Sequence, residues 1–399
     1  MPQFPQRTWA EIDLDAVAAN FRLIRSRLAD ETKIMAVVKA DAYGHGDLPL
    51  ATLFRDLGAD MLAVSNHREA ISLRQGGLEL PILILGHTPP ELAAVLAEYR
   101  ITQTVFSAEY AQSLASAAKN AGVTLTIHIK TDSGMGRIGF SLFEDAFDQS
   151  LGEILSLFEE DSFHIEGIFT HFSSADTEEG AEYTLAQFRR FSRMTELLRE
   201  QTGKKLIRHC CNSAAIFRYP QMQLDMVRPG IALYGLLPDP SMAEICSELC
   251  PVMAFRSNII HEKVVEPGRA VSYGRHFTAE APTRVGTMPV GYADGYSRRL
   301  SSTGHVLCDG QLLPILGNVC MDQTMVDTSV LPSSGLGKPV LLFGRDRSTG
   351  ITLSADTIAA ELGTIGYELT CLVGRRVERF YLQKGEICRK KDYLIPEKE

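Results

Sequence analysis

The sequence predicts an α/β fold, a (β/α)8 TIM-type barrel followed by a mainly β C-terminal domain, and three observations carry that prediction. Over the first 235 residues, eight short β-branched or aliphatic runs alternate with longer amphipathic stretches. The runs are almost continuously apolar, as strands of a parallel sheet covered on both faces must be. At residues 236–240 (LLPDP) the pattern breaks, and short alternating segments separated by Gly, Pro and Asp turns take over. An open doubly wound sheet would give the same alternation, and periodicity alone does not separate it from a closed barrel.

In chain order, the expected barrel strands are 34–39, 61–65, 82–86, 101–105, 124–130, 164–171, 206–211 and 223–228. Helical periodicity occupies 16–28, 48–57, 67–75, 91–99, 108–120, 142–158, 182–201 and 214–217. Beyond the break, VMAFRSNII, TRVGTMPVGY, HVLCDGQLLPIL and KPVLLFG read as strands, with one late helix at 354–362. The expected division is residues 1–240 and 241–399, with the early strand TWAEIDL (8–14) joining the second domain. The tail CRKKDYLIPEKE is expected to fray and carries no legible chemistry.

Composition narrows the function. The 399 residues are 45% hydrophobic and 22% charged, a globular profile with ample core. No apolar run approaches the roughly 20 residues that span a bilayer, and MPQFPQRTWAEIDLD has no signal-peptide apolar region. The net charge of −9, without a Lys/Arg-dense tract, argues against nucleic acid as the main partner. Eight cysteines are scattered with no C-x-x-C and no zinc-site spacing, so neither a metal nor a disulfide framework is expected, and a reducing cytoplasm is the simplest location.

In such barrels the chemistry sits at the carboxyl ends of the strands. Lys39 ends the first. Lys130 ends the fifth, followed by TDSGMGRIGF with Arg137; His171 ends the sixth. Asn212 and Ser213 follow the seventh, and Arg228 ends the eighth in MVRPGIALYG. A lone strand-end lysine is usually a surface residue, but five polar strand ends on one rim make a site. Its cations suit an anionic ligand, and the loops after strands seven and eight, with Ser213 and the Gly230–Ile231 backbone, suit a phosphate. A phosphate there, with the Lys39 amine across the barrel, points to pyridoxal 5'-phosphate with Lys39 as its Schiff-base lysine.

VVKADAYGHG, THFSSAD, NSAA, MVRPGIALYG, VSYG, VGYADGY, NVCMDQTMVD and GTIGYE, in this order, resemble the alanine racemase family from TWAEIDL to RRVERFY, nearly the whole chain. The resemblance implies a pyridoxal-phosphate-dependent isomerase that interconverts L- and D-alanine with two acid–base groups. These are Lys39 and, from the β domain of a second subunit, Tyr273. Two groups are needed because the Cα proton leaves one face and another arrives on the opposite face. Tyrosine, with an ordinary pKa of about 10, needs neighbours that favour its phenolate; the resemblance assigns this to His171 and Arg228. It also implies that Arg228 faces the pyridine nitrogen, and that Tyr43, Ser213, Gly230, Ile231 and Tyr367 contact the phosphate. Asn212 belongs to the same cofactor-binding set. Arg137 and the Met321 backbone, with Asp322 beside it in a supporting place, would meet the substrate carboxylate; Lys130 would carry a carbamate that positions Arg137, and Tyr292 would form part of the entrance from the second subunit. A site built from both chains implies a homodimer.

The chain departs from the family pattern in places. T-I-N-Y-E reads Thr364-Ile365-Gly366-Tyr367-Glu368, a change expected to loosen the loop or enlarge the pocket. R-V-P-R reads Arg376-Val377-Glu378-Arg379, and Cys210–Cys211 replace small residues before NSA. Tyr367 crowds side chains larger than methyl, while Gly366 leaves racemisation of serine or another small amino acid as the alternative. A barrel-type decarboxylase would need an acidic partner for the pyridine nitrogen, where this chain has Arg228. A non-catalytic cofactor carrier would not need VSYG and CMDQ.

Overall fold

The computed structural model describes residues 7–395; residues 1–6 and 396–399, the outermost parts of the two expected domains, lie outside it. Eight parallel strands occur in the expected order: β2 (Lys33–Val37), β3 (Met61–Val64), β4 (Ile82–Ile84), β5 (Ile101–Val105), β6 (Leu125–Asp132), β7 (Phe163–Phe169), β8 (Ile207–His209) and β9 (Met226–Val227). Neighbours pair in parallel from β2 to β8, and β9 returns to β2 through Met226↔Lys33 and Val227↔Ile34. Backbone bonds Asp225 N to Arg208 O (3.2 Å) and Arg228 N to Cys211 O (2.9 Å) join the last two strands and close the barrel. Every residue of β3, β4 and β5 is buried; β3 and β4 are wholly apolar for that reason, whereas β5 buries Thr102, Gln103 and Thr104, with Gln103 Nε2 donating to Gly86 O (2.8 Å) and Thr104 Oγ1 to Ile84 O (2.6 Å). Helices cover the outer face, several capped by a side chain the sequence supplies at the right place: Asn66, Ser107 and Asn212 each accept a backbone N–H of the first turn.

The second unit is a sheet in which β1 (Thr8–Asp13) lies between β10 (Met253–Asn258), antiparallel, and β13 (Glu378–Gln383), parallel. Numbering in between, β11 is Thr283–Met288, in a separate three-stranded sheet, and β12 is Pro339–Arg345, beside β10. TWAEIDL thus begins the chain inside the sheet built from its far end. No helix among the described residues is long and apolar enough to cross a membrane.

Several expectations are corrected. Lys39 does not end a strand: β2 stops at Val37, and residues 40–43 turn in the left-handed region. Lys130 lies inside β6, which continues to Asp132, while β7 stops two residues before His171. The helix expected from 142 starts at Phe147, because Phe140–Ser141 first pairs with Thr131–Asp132 as a short strand. The β domain has two late helices, Ala355–Leu362 and Gly366–Leu372, and the second carries Tyr367. The tail does not fray at 388: β14 (Glu386–Lys391) pairs with β13.

Candidate active site

The carboxyl ends of the barrel strands surround a cavity of about 480 Å³. Lys39 and Tyr43 enter it after β2, Lys130 and Arg137 with β6 and its loop, and His171 after β7. Asn212 and Ser213 follow β8; Arg228, Gly230 and Ile231 follow β9, and Tyr367 closes one side from the β domain. Thus every barrel residue predicted for the site borders one cavity.

The turn that presents Lys39 is unusual in its backbone. Ala40, Asp41, Ala42 and Tyr43 have φ between 52 and 56°, a left-handed turn closed by Ala42 N to Val38 O (2.9 Å) and Gly44 N to Ala40 O (3.0 Å). Each such non-glycine residue costs about 1–2 kcal/mol, so the turn persists only because its surroundings impose it. Glu69 is one support: its carboxylate accepts Ala40 N (2.9 Å) and Ser65 N (2.7 Å), tying the ends of β2 and β3 together. At Gly44 (φ 83°) a Cβ would lie 2.1 Å from Thr370 O, so the close approach of the β domain requires glycine there. Burial, and then the Arg137 charge, lower the Lys39 pKa, which favours the free amine that a nucleophile needs.

Arg228 is buried, and both of its terminal nitrogens are engaged. It donates to His209 Nδ1 (3.0 Å), Thr170 O (2.8 Å), Cys210 O (3.2 Å) and His171 Nδ1 (3.3 Å). Burial pushes its pKa down to about 10, still cationic at neutral pH. Desolvation and the Arg228 charge hold His171 and His209 well below 6.5, so both are neutral imidazoles. Guanidinium only donates, so each histidine accepts at Nδ1 and keeps its proton on Nε2. His209 Nε2 therefore donates to His128 Nδ1 (2.9 Å), and His128 Nε2 to Glu166 (3.2 Å). This one-way chain, Arg228–His209–His128–Glu166, was not read from the sequence; the only signal was two histidines inside apolar strands, whose ordinary meaning is core packing.

Lys130 is 3% exposed, with its Nζ on Thr131 O and 5.5 Å from the Phe169 ring centre. Burial is the main cause that pushes its pKa down to about 7, with Asp132 opposing and Arg228 and Arg137 adding. Asp132 also organises the loop to Arg137, its carboxylate accepting the N–H of Gly134, Met135 and Gly136. Asn212 spends its carbonyl on capping the helix that starts at Ser213, accepting Ala215 N (3.0 Å). Ser213 Oγ accepts Gly230 N (2.9 Å), and a Cβ at Gly230 would lie 2.7 Å from Tyr43 Oη, so the glycine keeps backbone and phenol together. Gly366 does not widen the pocket: the space for a Cβ is taken by Asp356 Oδ1 (2.1 Å), whose other oxygen accepts Leu237 N (3.1 Å). Cys210 and Cys211 are core, both thiols on Met222 O.

Tyr273, Tyr292, Met321 and Asp322 are not among the residues lining this cavity. They form a second cluster on the β domain. Tyr273 is 72% exposed, and Tyr292 and Met321 are also exposed. Ser272, at φ 70° and ψ 175°, holds a conformation normally left to glycine. Its hydroxyl donates to Asn318 O (2.8 Å), and the Asn318 amide donates to Tyr273 O (2.7 Å). Ala293 N to Met321 O (3.1 Å) and Tyr292 N to Cys320 O (3.1 Å) tie the remaining loops together, and Arg376 bridges Asp322 (2.7 Å) to the buried Asp294 (3.0 Å).

Buried neutral histidines also set the pH dependence of stability. Burial lowers the pKa of His45 to about 4 and also lowers those of His128 and His209. Below pH 6.5 the unfolded chain therefore binds protons the folded chain refuses. Stability is complete above that pH and falls as pH drops toward each folded value, by about 1.4 kcal/mol per unit per histidine. The melting temperature should climb between pH 5 and pH 7; equal values at the two would contradict the neutral histidines.

Comparison with known proteins agrees with this geometry. The family description "Alanine racemase, N-terminal domain" matches residues 12–238, and "Alanine racemase, C-terminal domain" matches 252–381. An alanine racemase of Desulfovibrio desulfuricans is 46% identical over 96% of this chain and all of its own length, and alanine racemase 1 of Clostridium acetobutylicum is 43% identical over 97% and 98%. Among solved structures, alanine racemase of Clostridium difficile 630 superimposes with a TM-score of 0.91 at 40% identity, covering 98% of this chain and 100% of that one. The Bacillus anthracis alanine racemase with bound L-Ala-P gives a TM-score of 0.90 at 34% identity, covering 98% and 99%.

Proposed function

This chain belongs to the alanine racemase family, and on that premise we propose that its barrel mouth interconverts L- and D-alanine, with Lys39 and Tyr273 exchanging the Cα proton. The family depends on pyridoxal phosphate, and the residues present fit that group. The cavity joins a half-buried amine, two arginines and neutral donors, and Gly230 leaves the backbone bare beside Tyr43. When bound, the cofactor supplies the electron sink that makes the Cα proton removable.

Each side chain then has a task. Lys39 Nζ would hold the aldehyde carbon and afterwards carry the proton on one face of Cα. Tyr43, Ser213, Tyr367 and the backbone of Gly230 and Ile231 would hold the phosphate, with Asn212 fixing the start of the helix that bears Ser213. Arg228 would donate a hydrogen bond to the ring nitrogen, and with its pKa lowered only to about 10 it would keep its own proton and leave that nitrogen neutral. His171 has Nδ1 occupied by Arg228 and offers an Nε2–H that favours the phenolate of Tyr273 of the partner subunit. Arg137 would pair with the substrate carboxylate. Lys130, with a pKa of about 7, is partly free amine at neutral pH, the form that adds carbon dioxide to give a carbamate and release a proton; the resulting anion would position Arg137.

The site is completed by a second subunit. Supporting this, Tyr273, Met321 and Tyr292 are held rigidly by backbone and side-chain bonds yet exposed, which a single chain gives no reason to maintain. The enzyme is thus a homodimer in this reading, its two units divide near residue 240, and its place is the cytoplasm. The observation that carries the proposal is the single cavity joining Lys39, Arg137, His171 and Arg228. The test is Cα–deuterium exchange by NMR over a panel of small amino acids, with pyridoxal phosphate present. Exchange of alanine, with serine at least about tenfold slower, is expected; serine exchanging as fast would refute alanine selectivity, and no exchange would refute the assignment.

A further inference from the structure

Lys391 and Tyr393, in the tail without legible chemistry in the sequence, lie against the turn that carries Lys39. In β13, the buried Arg379 donates from Nε and Nη2 to Gly44 O (3.2 and 3.1 Å), and Tyr381 donates to His45 O (3.0 Å). Opposite Arg379 in the ladder stands Lys391 of β14. Its Nζ bridges Asp41 (3.1 Å) and Asp47 (3.1 Å). Two residues later the Tyr393 hydroxyl donates to the other Asp41 oxygen, while its ring lies under Lys391 Nζ (4.5 Å) and the Arg379 guanidinium (5.0 Å). Asp41 also accepts Asp47 N (3.0 Å). Asp41 is the second of four consecutive left-handed non-glycine residues, so both its oxygens are pinned at the place where the backbone most needs support.

We propose that Lys391 and Tyr393 are positioning residues for the reaction: through Asp41 they hold the left-handed turn whose flanking side chains are Lys39 and Tyr43. The proposal rests on the reading of Lys39 as the reactive lysine. It adds that the far end of the same chain fixes that lysine's geometry. One β domain then serves two sites, clamping Lys39 of its own barrel and offering Tyr273 to the partner's. Without the clamp, a strained turn relaxes toward ordinary backbone and carries the amine off line.

The test uses the full-length holoenzyme with Tyr393→Phe, which deletes one hydroxyl, and Lys391→Met, which keeps the stem. Hydrogen exchange at the amides of Ala42, Gly44 and Gly46 should quicken about tenfold in Tyr393→Phe, with the amides of β3 unchanged. The kcat should fall severalfold with little change in KM, because substrate contacts lie elsewhere. Combined with Asp41→Asn, the loss should be no greater than the larger single loss, since both act through one contact. Turn amides exchanging at the wild-type rate, faster exchange with unchanged kcat, or losses that multiply would each overturn the proposal. Should Lys391→Met fail to fold, Tyr393→Phe decides alone. Amide exchange reads the turn whichever lysine is reactive, whereas failure of the Lys39 reading would appear separately, as borohydride-fixed cofactor on another lysine.

Discussion

Lys39→Ala is expected to lower kcat for racemisation by about 10⁴-fold or more, because one substitution removes both the cofactor's covalent anchor and one of two acid–base groups. Lys39→Arg should fare no better. It keeps charge and length, but a guanidinium does not release its proton at working pH. The desolvation and Arg137 charge that lower the Lys39 pKa serve an amine that must shed a proton, and arginine gains nothing from them. Racemisation followed by loss of optical rotation measures the effect. Borohydride reduction of the wild-type holoenzyme should fix the cofactor on the peptide holding Lys39. Residual activity above about 1% in either variant, well short of that loss, would contradict the assignment.

Tyr273→Phe is the second large effect, about 10²- to 10⁴-fold in kcat, the usual range for a positioned acid or base. Its diagnostic feature is asymmetry. With the tyrosine serving the face of L-alanine, the variant should lose Cα exchange chiefly from the L-enantiomer, while Lys39 continues to exchange the proton of D-alanine. Ser272 and Asn318 fix the Tyr273 backbone, so removal of one hydroxyl leaves the loop in place. Equal and small losses for both enantiomers would refute the role of Tyr273.

The parallel sheet was legible because burial on both faces writes itself into sequence: β3 and β4 are apolar and buried throughout, and short apolar runs repeated at that spacing fit little besides a covered parallel sheet. The rim residues were legible as polar groups toward the carboxyl ends of apolar runs, although the strands themselves stop before Lys39 and His171 and run past Lys130. The turn after β2 was not. Four alanine-, aspartate- and tyrosine-type residues carry no mark of a left-handed conformation, since the groups that touch the turn are distant in the chain: Glu69 on Ala40 N, and Arg379, Tyr381, Lys391 and Tyr393, more than 330 residues downstream. The Arg228–His209–His128–Glu166 chain was hidden likewise, because pairing across strands decides which strand residues meet, and local pattern does not record it. Gly366 misled in the opposite direction: a missing side chain suggested a larger pocket, yet Asp356 occupies the space.

The central claim is that each site takes its lysine from one chain and its tyrosine from another, and mixed dimers test it most directly. Lys39→Ala and Tyr273→Phe chains, each inactive alone, are unfolded together, refolded in equal amounts with pyridoxal phosphate, and assayed. With shared sites, about half the dimers are mixed, and each has one intact pair among its two sites, so activity should return to about one quarter of wild type. If each chain supplied both residues of its own site, no intact pair could form, and the mixture would stay as inactive as its components.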